Sequence, residues 1–368
     1  MFSFQAIYDA YIACRKHKRN TLNQLQFEVN LLDNLWNLQS ELSTQTYKIG
    51  SSLCFLTSSP KLREVFAADF RDRVVHHVLI RAIEPFYEKK FIHDVYNNRK
   101  NRGTHSAIKQ AQRYMHRNTQ GYYLQLDIKG FFYNLDKNIL FKQLFNDISN
   151  STLKNKKEIL WLSNKIIYHN PTRNYIFKGD KSKLELLPEH KTLFKLPSHL
   201  GLPIGNLTSQ FFANVYMNGF DNYVKRVLKV KSYIRYVDDS VIFDISKERL
   251  ERLHVKIALY LKDNLGLLLR EDTKLKKHSS GLDFLGYIIR ENYILTRKRI
   301  VNNYKFKKAN YLQNYENQRG KMSLEEIKKF LSVQASFVGH IKHSNSYNLL
   351  KKVGTINETD PFSFNHKR

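Results

Sequence analysis

Three aspartates carry the clearest chemistry in this chain. Asp238 and Asp239 are neighbours in "IRYVDDSVIF" (234–243), and Asp127 lies in "YYLQLDIKGFF" (122–132). Two carboxylates about 4 Å apart repel by roughly 4 kcal/mol at an effective dielectric near 20. The one basic residue beside the pair is Arg235. A divalent cation offsets such repulsion, and Mg²⁺ is commonly held by one or two carboxylates plus substrate phosphates. Two strands that each end in Asp, set side by side, would make a two-metal site for in-line phosphoryl chemistry. A surface turn for the pair, and a helix or turn cap for Asp127, are the plain alternatives that local sequence leaves open.

Elements that could position these residues are legible. "SYIRYV" and "SVIFDI" have the apolar content of paired strands, and the two residues between them predict a tight hairpin with Asp238 and Asp239 at its tip. Alternation in the other run puts Tyr123, Gln125 and Asp127 on one face, and Leu124, Leu126 and Ile128 on the other. Helical spacing over 5–45 predicts two helices joined by "RKHKRNT". An extended stretch at 47–57 leads to a turn at Pro60. A long helix follows, "ADFRDRVVHHVLIRAIEPFYEKKF", with a kink or break at Pro85. Residues 97–118 run from a basic loop into a helix. Residues 145–198 give one helix and then a weakly constrained insertion, open to roles in binding RNA or protein. "GLPIGNLTSQFFANVYMNGFDNYVKRVL" (201–228) predicts a glycine-marked loop entering an amphipathic helix. A helix at about 246–264, a strand-like "SGLDFLGYIIR", and a basic helical stretch from 292 complete the chain.

Composition narrows the partners. Hydrophobic residues make up 42% and aromatics 13%, which argues for a folded chain. The 61 basic residues against 33 acidic give a net charge of +28, and a polyanion is the expected partner. The basic residues are spread along the chain among Tyr, Phe and Asn, which suits nucleic acid better than a membrane. Cys14 and Cys54 support neither a disulfide framework nor a zinc site. No apolar run approaches a membrane span, and the N-terminus lacks the pattern of a signal peptide, so a cytoplasmic protein without a membrane partner is expected. "RKRIVNNYKFKK" (297–308) holds six basic residues and no acidic one. With Tyr304 and Phe306 interleaved, it predicts contact with a phosphate backbone, a solvated helix face being the alternative. His340 and His343 lack nearby ligand partners and suit an RNA-contacting helix; His76 and His77 suit a structural role.

Taken in order, "KLREVFAADFRDRVVHHVL", "YNNRKNRGTHSAI", "LDIKGFF", "GLPIGNLTSQ", "YVDD" and "GLDFLGY" resemble the motif series of reverse transcriptases, over most of the chain. Within that family, "LPIGNLTSQFFANVYMN" and "AYIACRKHKRN" are most similar to the enzymes of diversity-generating retroelements. Those copy a template RNA with frequent errors at adenines and work with a small basic accessory protein. Retron and group II intron enzymes share the core motifs. The resemblance implies an α+β right-hand polymerase fold: an N-terminal helical extension (1–48), fingers (49–120), a palm of antiparallel sheet on helices (121–291, with the insertion near 150–198) and a helical thumb (292–368). It implies RNA-templated DNA synthesis by a cytoplasmic protein that is bacterial, archaeal or phage-encoded. RNA template, DNA primer and product, dNTPs, a structured non-coding RNA and an accessory-protein oligomer would be the partners. A catalytically inert RNA-binding scaffold of the same shape is the rival from another class.

The resemblance also implies roles by position. Asp127 and Asp238 would hold two Mg²⁺ ions, with Mn²⁺ as a substitute; the Ile128 carbonyl would add a ligand and Asp239 a weaker one. Gly130 and Phe131 would cradle the triphosphate through backbone N–H groups. Phe132 would be a steric gate against a 2′-hydroxyl, although a core aromatic reads equally well from local sequence. Lys61 and Arg63 would grip the β- and γ-phosphates and Lys274 would sit near the leaving pyrophosphate. Ile204 stands where retroviral enzymes place a glutamine that braces the incoming nucleotide, and its inability to make that hydrogen bond is expected to lower fidelity. Gly205, Ser209 and Gln210 would shape the loop against the template base and nucleotide. Tyr236 would sit at the primer end, and Phe284, Leu285 and Gly286 would form the primer grip. Arg99, Arg102, Arg297, Lys298 and Arg299 would contact template or primer.

Overall fold

The structure is a computed structural model that describes residues 1–16, 21–58, 61–319 and 321–353. Three helices open the chain where two were expected: α1 (Phe4–Arg15), α2 (Leu22–Val29) and α3 (Leu31–Ser43). The extra break falls at Asn30, which leaves the helical region (φ −119°, ψ 51°). The Asn34 amide donates to the Phe27 carbonyl at 2.8 Å and satisfies an acceptor of the last turn of α2. Residues 17–20 of the basic linker and Pro60 lie outside the described residues.

Strands β1 (Ser52–Thr57) and β2 (Arg63–Ala67) pair antiparallel and lead into α4 (Phe70–Lys90). Asp69 caps α4, accepting from the Arg71 amide at 3.0 Å. Buried Asp72 accepts from the Tyr47 hydroxyl at 2.6 Å and the Gly50 amide at 2.9 Å. Pro85 does not end the helix, so of the expected kink or break the break is absent. The turn beyond it is held by packing: Tyr87 stacks on Phe91 at 5.6 Å, and both meet Phe211 edge-on. Cross-chain packing overrides a local penalty of about 3 kcal/mol.

Next come α5 (Thr104–Arg117), β3 (Tyr122–Leu126), the short α6 (Phe131–Asn134), α7 (Lys137–Ser149), α8 (Lys156–Ile167) and β4 (Tyr175–Lys178). β4 lies parallel to β1, giving a sheet of order β2-β1-β4. The stretch expected to be weakly constrained therefore supplies a strand. It is also pinned from inside, because the buried Glu64 of β2 accepts from the Thr192 hydroxyl at 2.7 Å and from the Leu193 amide. α9 (Leu207–Asn222) is buried nearly all round rather than amphipathic and ends in a π-helical turn, 223–227.

β5 (Tyr233–Tyr236), β6 (Asp239–Asp244), α10 (Lys247–Leu265) and β7 (Lys274–Lys277) follow. The second sheet has the order β5-β6-β3-β7, with β3 and β7 antiparallel. β8 (Leu282–Phe284), β9 (Tyr287–Ile289) and β10 (Ile294–Thr296) form an antiparallel meander. The chain continues through α11 (Lys298–Asn317), α12 (Leu324–Ile341) and α13 (Tyr347–Lys352). Ser323 and Glu326 form a capping box on α12, and Tyr304 of α11 stacks on Phe337 of α12 at 3.9 Å.

Two compact units result. One comprises Met1–Lys100, Leu126–Ser240 and Arg252–Thr273; the other comprises Asn101–Gln125, Val241–Glu251 and the chain from Lys274 onward. Cys14 and Cys54 are buried free thiols. No helix among the described residues is long and apolar enough to cross a membrane. Glu64→Ala leaves two buried donors without their acceptor, so it should cost about 1–3 kcal/mol in urea unfolding and speed proteolysis within 171–198. Unchanged stability and cleavage would show that Glu64 does not pin this segment.

Candidate active site

The hairpin between β5 and β6 turns one residue earlier than expected. Its turn residues are Val237 and Asp238, and Asp239 already begins β6. Val237 has φ +59°, a conformation that costs a β-branched residue on the order of 1–3 kcal/mol. Arg235 is not the counter-ion of the two aspartates. Its fully buried guanidinium is engaged at 2.8 and 2.6 Å by the two oxygens of the equally buried Asp221. The electrostatic strain of the aspartates is thus left to other groups.

Asp127 leaves β3 in a loop fixed by backbone bonds on both sides of Ile128. The Lys129 amide donates to the Leu268 carbonyl at 2.8 Å, and the Arg270 amide donates to the Asp127 carbonyl at 2.9 Å. Neither bond uses the Ile128 carbonyl. Gly130 then adopts a left-handed φ of 56° and starts α6. The Arg270 guanidinium lies 3.4 Å from the Asp127 carboxylate and also bonds Asp272 at 2.9 Å.

Asp238 is half-buried, and its pKa is raised above the usual carboxylate value by burial first and by the charge of Asp127 second. The positive charges of Arg63 and Lys61 act in the opposite direction. The two carboxylates therefore feel one another, with the two expected phosphate-gripping cations within electrostatic reach. Among the described residues no group of three or more His, Cys, Asp or Glu side chains is arranged to hold a metal ion. Two mutually repelling carboxylate side chains, all hard oxygen donors, fit Mg²⁺, whose remaining ligands are ordinarily substrate phosphates and water.

The residues expected around the nucleotide are anchored by backbone. Half-buried Phe132 lies edge-on to buried Phe131 at 5.4 Å, and its carbonyl accepts from the Leu202 amide at 2.8 Å. The Ile204 carbonyl accepts from the Phe66 amide at 2.9 Å, while its side chain packs on the cluster of Cys54, Phe66, Tyr133 and Leu193. Gly205 has φ +120°, and a Cβ there would meet Val65 Cγ1 at 2.7 Å and the Phe66 carbonyl oxygen at 3.0 Å. The glycine is required by conformation and by close approach alike. Asn206 accepts from the Ala68 amide at 3.0 Å, Ser209 is buried, and Gln210 is exposed at the start of α9. Tyr236 is half-buried at the end of β5.

Several expected contacts to nucleic acid are corrected. Arg99 is buried, paired with Glu88 at 2.9 Å and donating to the carbonyls of Ile92 and Val95, so its guanidinium is spent on structure. Phe284 is fully buried; Leu285 (φ 50°) and Gly286 (φ 90°) are the half-buried turn residues of the β8–β9 hairpin. Tyr304 is buried in its stack on Phe337, whereas Phe306 is 65% exposed. Arg102 is half-buried, Arg297 pairs with Asp283, and Lys274, Lys298 and Arg299 are exposed. His340 stacks on Tyr287 at 4.3 Å and His343 on His105 at 3.5 Å, which accounts for both rings by packing. Burial lowers the buried His76 to a pKa of about 3, in keeping with a structural role.

Residues 58–289 match the family model described as reverse transcriptase (RNA-dependent DNA polymerase). The chain belongs to the reverse transcriptase family. It is by that membership an RNA-directed DNA polymerase, and its α+β architecture is that of the right-hand polymerase fold. Protein YkfC of Escherichia coli K12 is 24% identical over 327 residues, covering 78% of this chain and 80% of YkfC. The group II intron-encoded protein LtrA of Lactococcus lactis subsp. cremoris is 24% identical over 305 residues, covering 66% of this chain and 47% of LtrA. The reverse transcriptase thus spans under half the length of LtrA. An apo telomerase from Candida tropicalis aligns at a TM-score of 0.47 with 12% identity, covering 88% of this chain and 64% of that one. The assignment rests on the family match, not on this distant likeness.

Sequence reasoning missed Arg270, although "LLREDTK" places it two residues from Asp272 and close to the strand-like "KLKK". It also missed Asp221, whose signal was that it is the one acidic residue of α9. Because the raised pKa of Asp238 means that the folded state takes up its proton more readily than the unfolded chain, stability falls as pH rises from about 3.8 through the raised value. That loss persists at neutral pH. Asp238→Asn should therefore raise the thermal midpoint in metal-free buffer at pH 7, and should not do so at pH 4. A lower midpoint at pH 7 would show that the carboxylate is not strained there.

Proposed function

We propose that the protein synthesises DNA on an RNA template by two-metal nucleotidyl transfer, with Asp127 and Asp238 as the metal-holding carboxylates. The observation that carries this reading is the reverse transcriptase family match over residues 58–289, supported by the electrostatic contact of Asp238 with Asp127, Arg63 and Lys61. Bound Mg²⁺ would supply activation of the primer 3′-hydroxyl and neutralisation of the leaving pyrophosphate. Asp127 and Asp238 orient those ions, with the Ile128 carbonyl as an added donor and Asp239 supporting the site by its charge. Lys61 and Arg63 grip the β- and γ-phosphates, and Lys274 meets the leaving group. Gly130 and Phe131 present backbone amides, Phe132 closes the sugar side, and Gly205 and Gln210 border the nucleotide. Tyr236 receives the primer end. Lys298 and Arg299, exposed on α11, meet a phosphate backbone, as does Arg102 on the template side.

The finer reading is error-prone copying at template adenines in a diversity-generating retroelement, with an accessory-protein oligomer and a structured RNA. Its support is the motif resemblance together with Ile204, which packs in an apolar cluster and offers no side-chain hydrogen bond to a nucleotide. A group II intron-like enzyme is the second reading, favoured by the likeness to LtrA.

Primer extension on an RNA template with Mg²⁺ and dNTPs tests the activity. Asp127→Asn or Asp238→Asn should lower it by about three orders of magnitude. No extension by the native chain, even with cognate RNA and accessory protein, would favour an inert scaffold. Sequenced products should carry errors concentrated opposite adenine, and Ile204→Gln should reduce them; faithful products would support the intron-like reading. Phe132→Ala should raise ribonucleotide incorporation relative to deoxynucleotide on the order of tenfold. Unchanged selectivity would remove Phe132 from the sugar side of the site.

A further inference from the structure

The turn that presents Asp238 is closed by a ring of buried hydrogen bonds. We infer that Asn97 and Asn214, with the Arg235–Asp221 pair, are positioning residues that hold Val237 left-handed and so aim Asp238 into the site. The inference rests on the reading of Asp238 as a metal ligand.

The ring is continuous. The Val237 amide donates to Asn97 Oδ1 at 3.0 Å. The Asn97 carbonyl accepts from Asn214 Nδ2 at 2.9 Å. Asn214 Oδ1 accepts from Arg235 Nη1 at 3.2 Å, and the same Nη1 donates to the Val237 carbonyl at 2.9 Å. Both backbone groups of Val237 are therefore gripped, one on each side of its Cα. That fixes φ and ψ together.

Each member is placed by the fold. Val95 bridges Arg235 in parallel; the Arg235 amide donates to the Asp94 carbonyl, and the Tyr96 amide to the Arg235 carbonyl, each at 3.0 Å. This register sets Asn97 opposite Val237. Asn214 and Asp221 are seven residues apart on α9, hence on one face two turns apart. Asp221 also accepts from the Tyr233 hydroxyl at 2.8 Å.

A generic core contact does not account for this arrangement. Asn97, Asn214, Asp221 and Arg235 are each at most 2% exposed, and apolar residues of similar volume commonly fill such space at no loss of stability. Asn97 Nδ2 has no partner, so the buried amide is kept for its acceptor. Its orientation is fixed as well, because the Val237 N–H can only donate. Finally, a valine occupies a conformation that glycine adopts without strain. The turn is thus held from outside rather than by its own preference.

The test is a double-mutant cycle read by steady-state primer extension. Asn97→Ala should lower kcat about tenfold at a temperature where the variant stays folded, with the dNTP KM changed less than about twofold and the thermal midpoint lowered because the Val237 N–H loses its acceptor. In the Val237→Gly background the same substitution should cost only about twofold, because glycine needs no clamp. An equal fold-loss in both backgrounds, or a loss carried wholly by KM, overturns the inference. If Asn97→Ala does not fold, Asn97→Asp keeps the acceptor and should retain kcat within a few fold; a tenfold loss insensitive to Val237→Gly counts against the clamp. Asp238→Asn separates the two levels. Full synthesis by that variant sinks the metal-ligand reading itself, whereas a dead variant with an additive cycle sinks only the clamp.

Discussion

The carboxylates of Asp127 and Asp238 repel one another inside the first unit, and burial adds to the cost of charging Asp238. The pair sits in a partly desolvated place, and burial and mutual charge both push Asp238 toward its neutral form. A protein selected for stability alone would separate or replace these groups. Keeping them leaves a site with an unmet demand for positive charge, which Arg63, Lys61 and Arg270 meet only from the edge. On the proposed reading a divalent cation would meet it, with coordination positions left for phosphate oxygens. The electrostatic cost that lowers stability would then be the source of the site's affinity for the cation.

A second conflict is mechanical. Left-handed Val237 would relax if its amide and carbonyl were released, and Asp238 would turn with it. Arg235 prevents this while contributing almost no net charge to the site, because Asp221 neutralises it two bonds deep in the core. Local sequence suggested the reverse, since Arg235 lies three residues from Asp238 and reads as its partner. Cross-chain pairing explains the difference: the buried carboxylate of Asp221 on α9 takes the Arg235 guanidinium, a partner that the local sequence does not reveal.

What sequence made legible was the set of long apolar elements and the motif order. The strand of Asp127, the hairpin of Asp238, the helix from Asp69 and the loop at Gly205 all fell close to their expected places. Three kinds of feature were not legible. β4 is four residues in a Lys- and Asn-rich stretch, and it exists because β1 and Glu64 receive it. Pro85 sits inside a helix because Tyr87, Phe91 and Phe211 secure the turn beyond it. Arg99, Phe284 and Tyr304 carry residue types suited to nucleic acid, yet their positions on the fold direct them inward. Residue type states what a side chain could bind; burial decides whether it is available.

α9 joins the two halves of the site. Just before it, the Ile204 carbonyl and Asn206 side chain are stitched to β2 at Phe66 and Ala68, the strand that begins with Arg63. Farther along, Asn214 and Asp221 reach the hairpin that carries Asp238. The Ile204–Asn206 loop, the strand that begins with Arg63 and the hairpin that carries Asp238 are therefore all referenced to one buried helix and the loop that leads into it. Asn214 and Asp221, seven residues apart on one face of the helix, were the sequence trace of that linkage. An apolar α9 would bury as well, but it would fix neither end. This makes the helix's composition a requirement of geometry at the reacting atoms, where displacements near 1 Å carry large rate penalties.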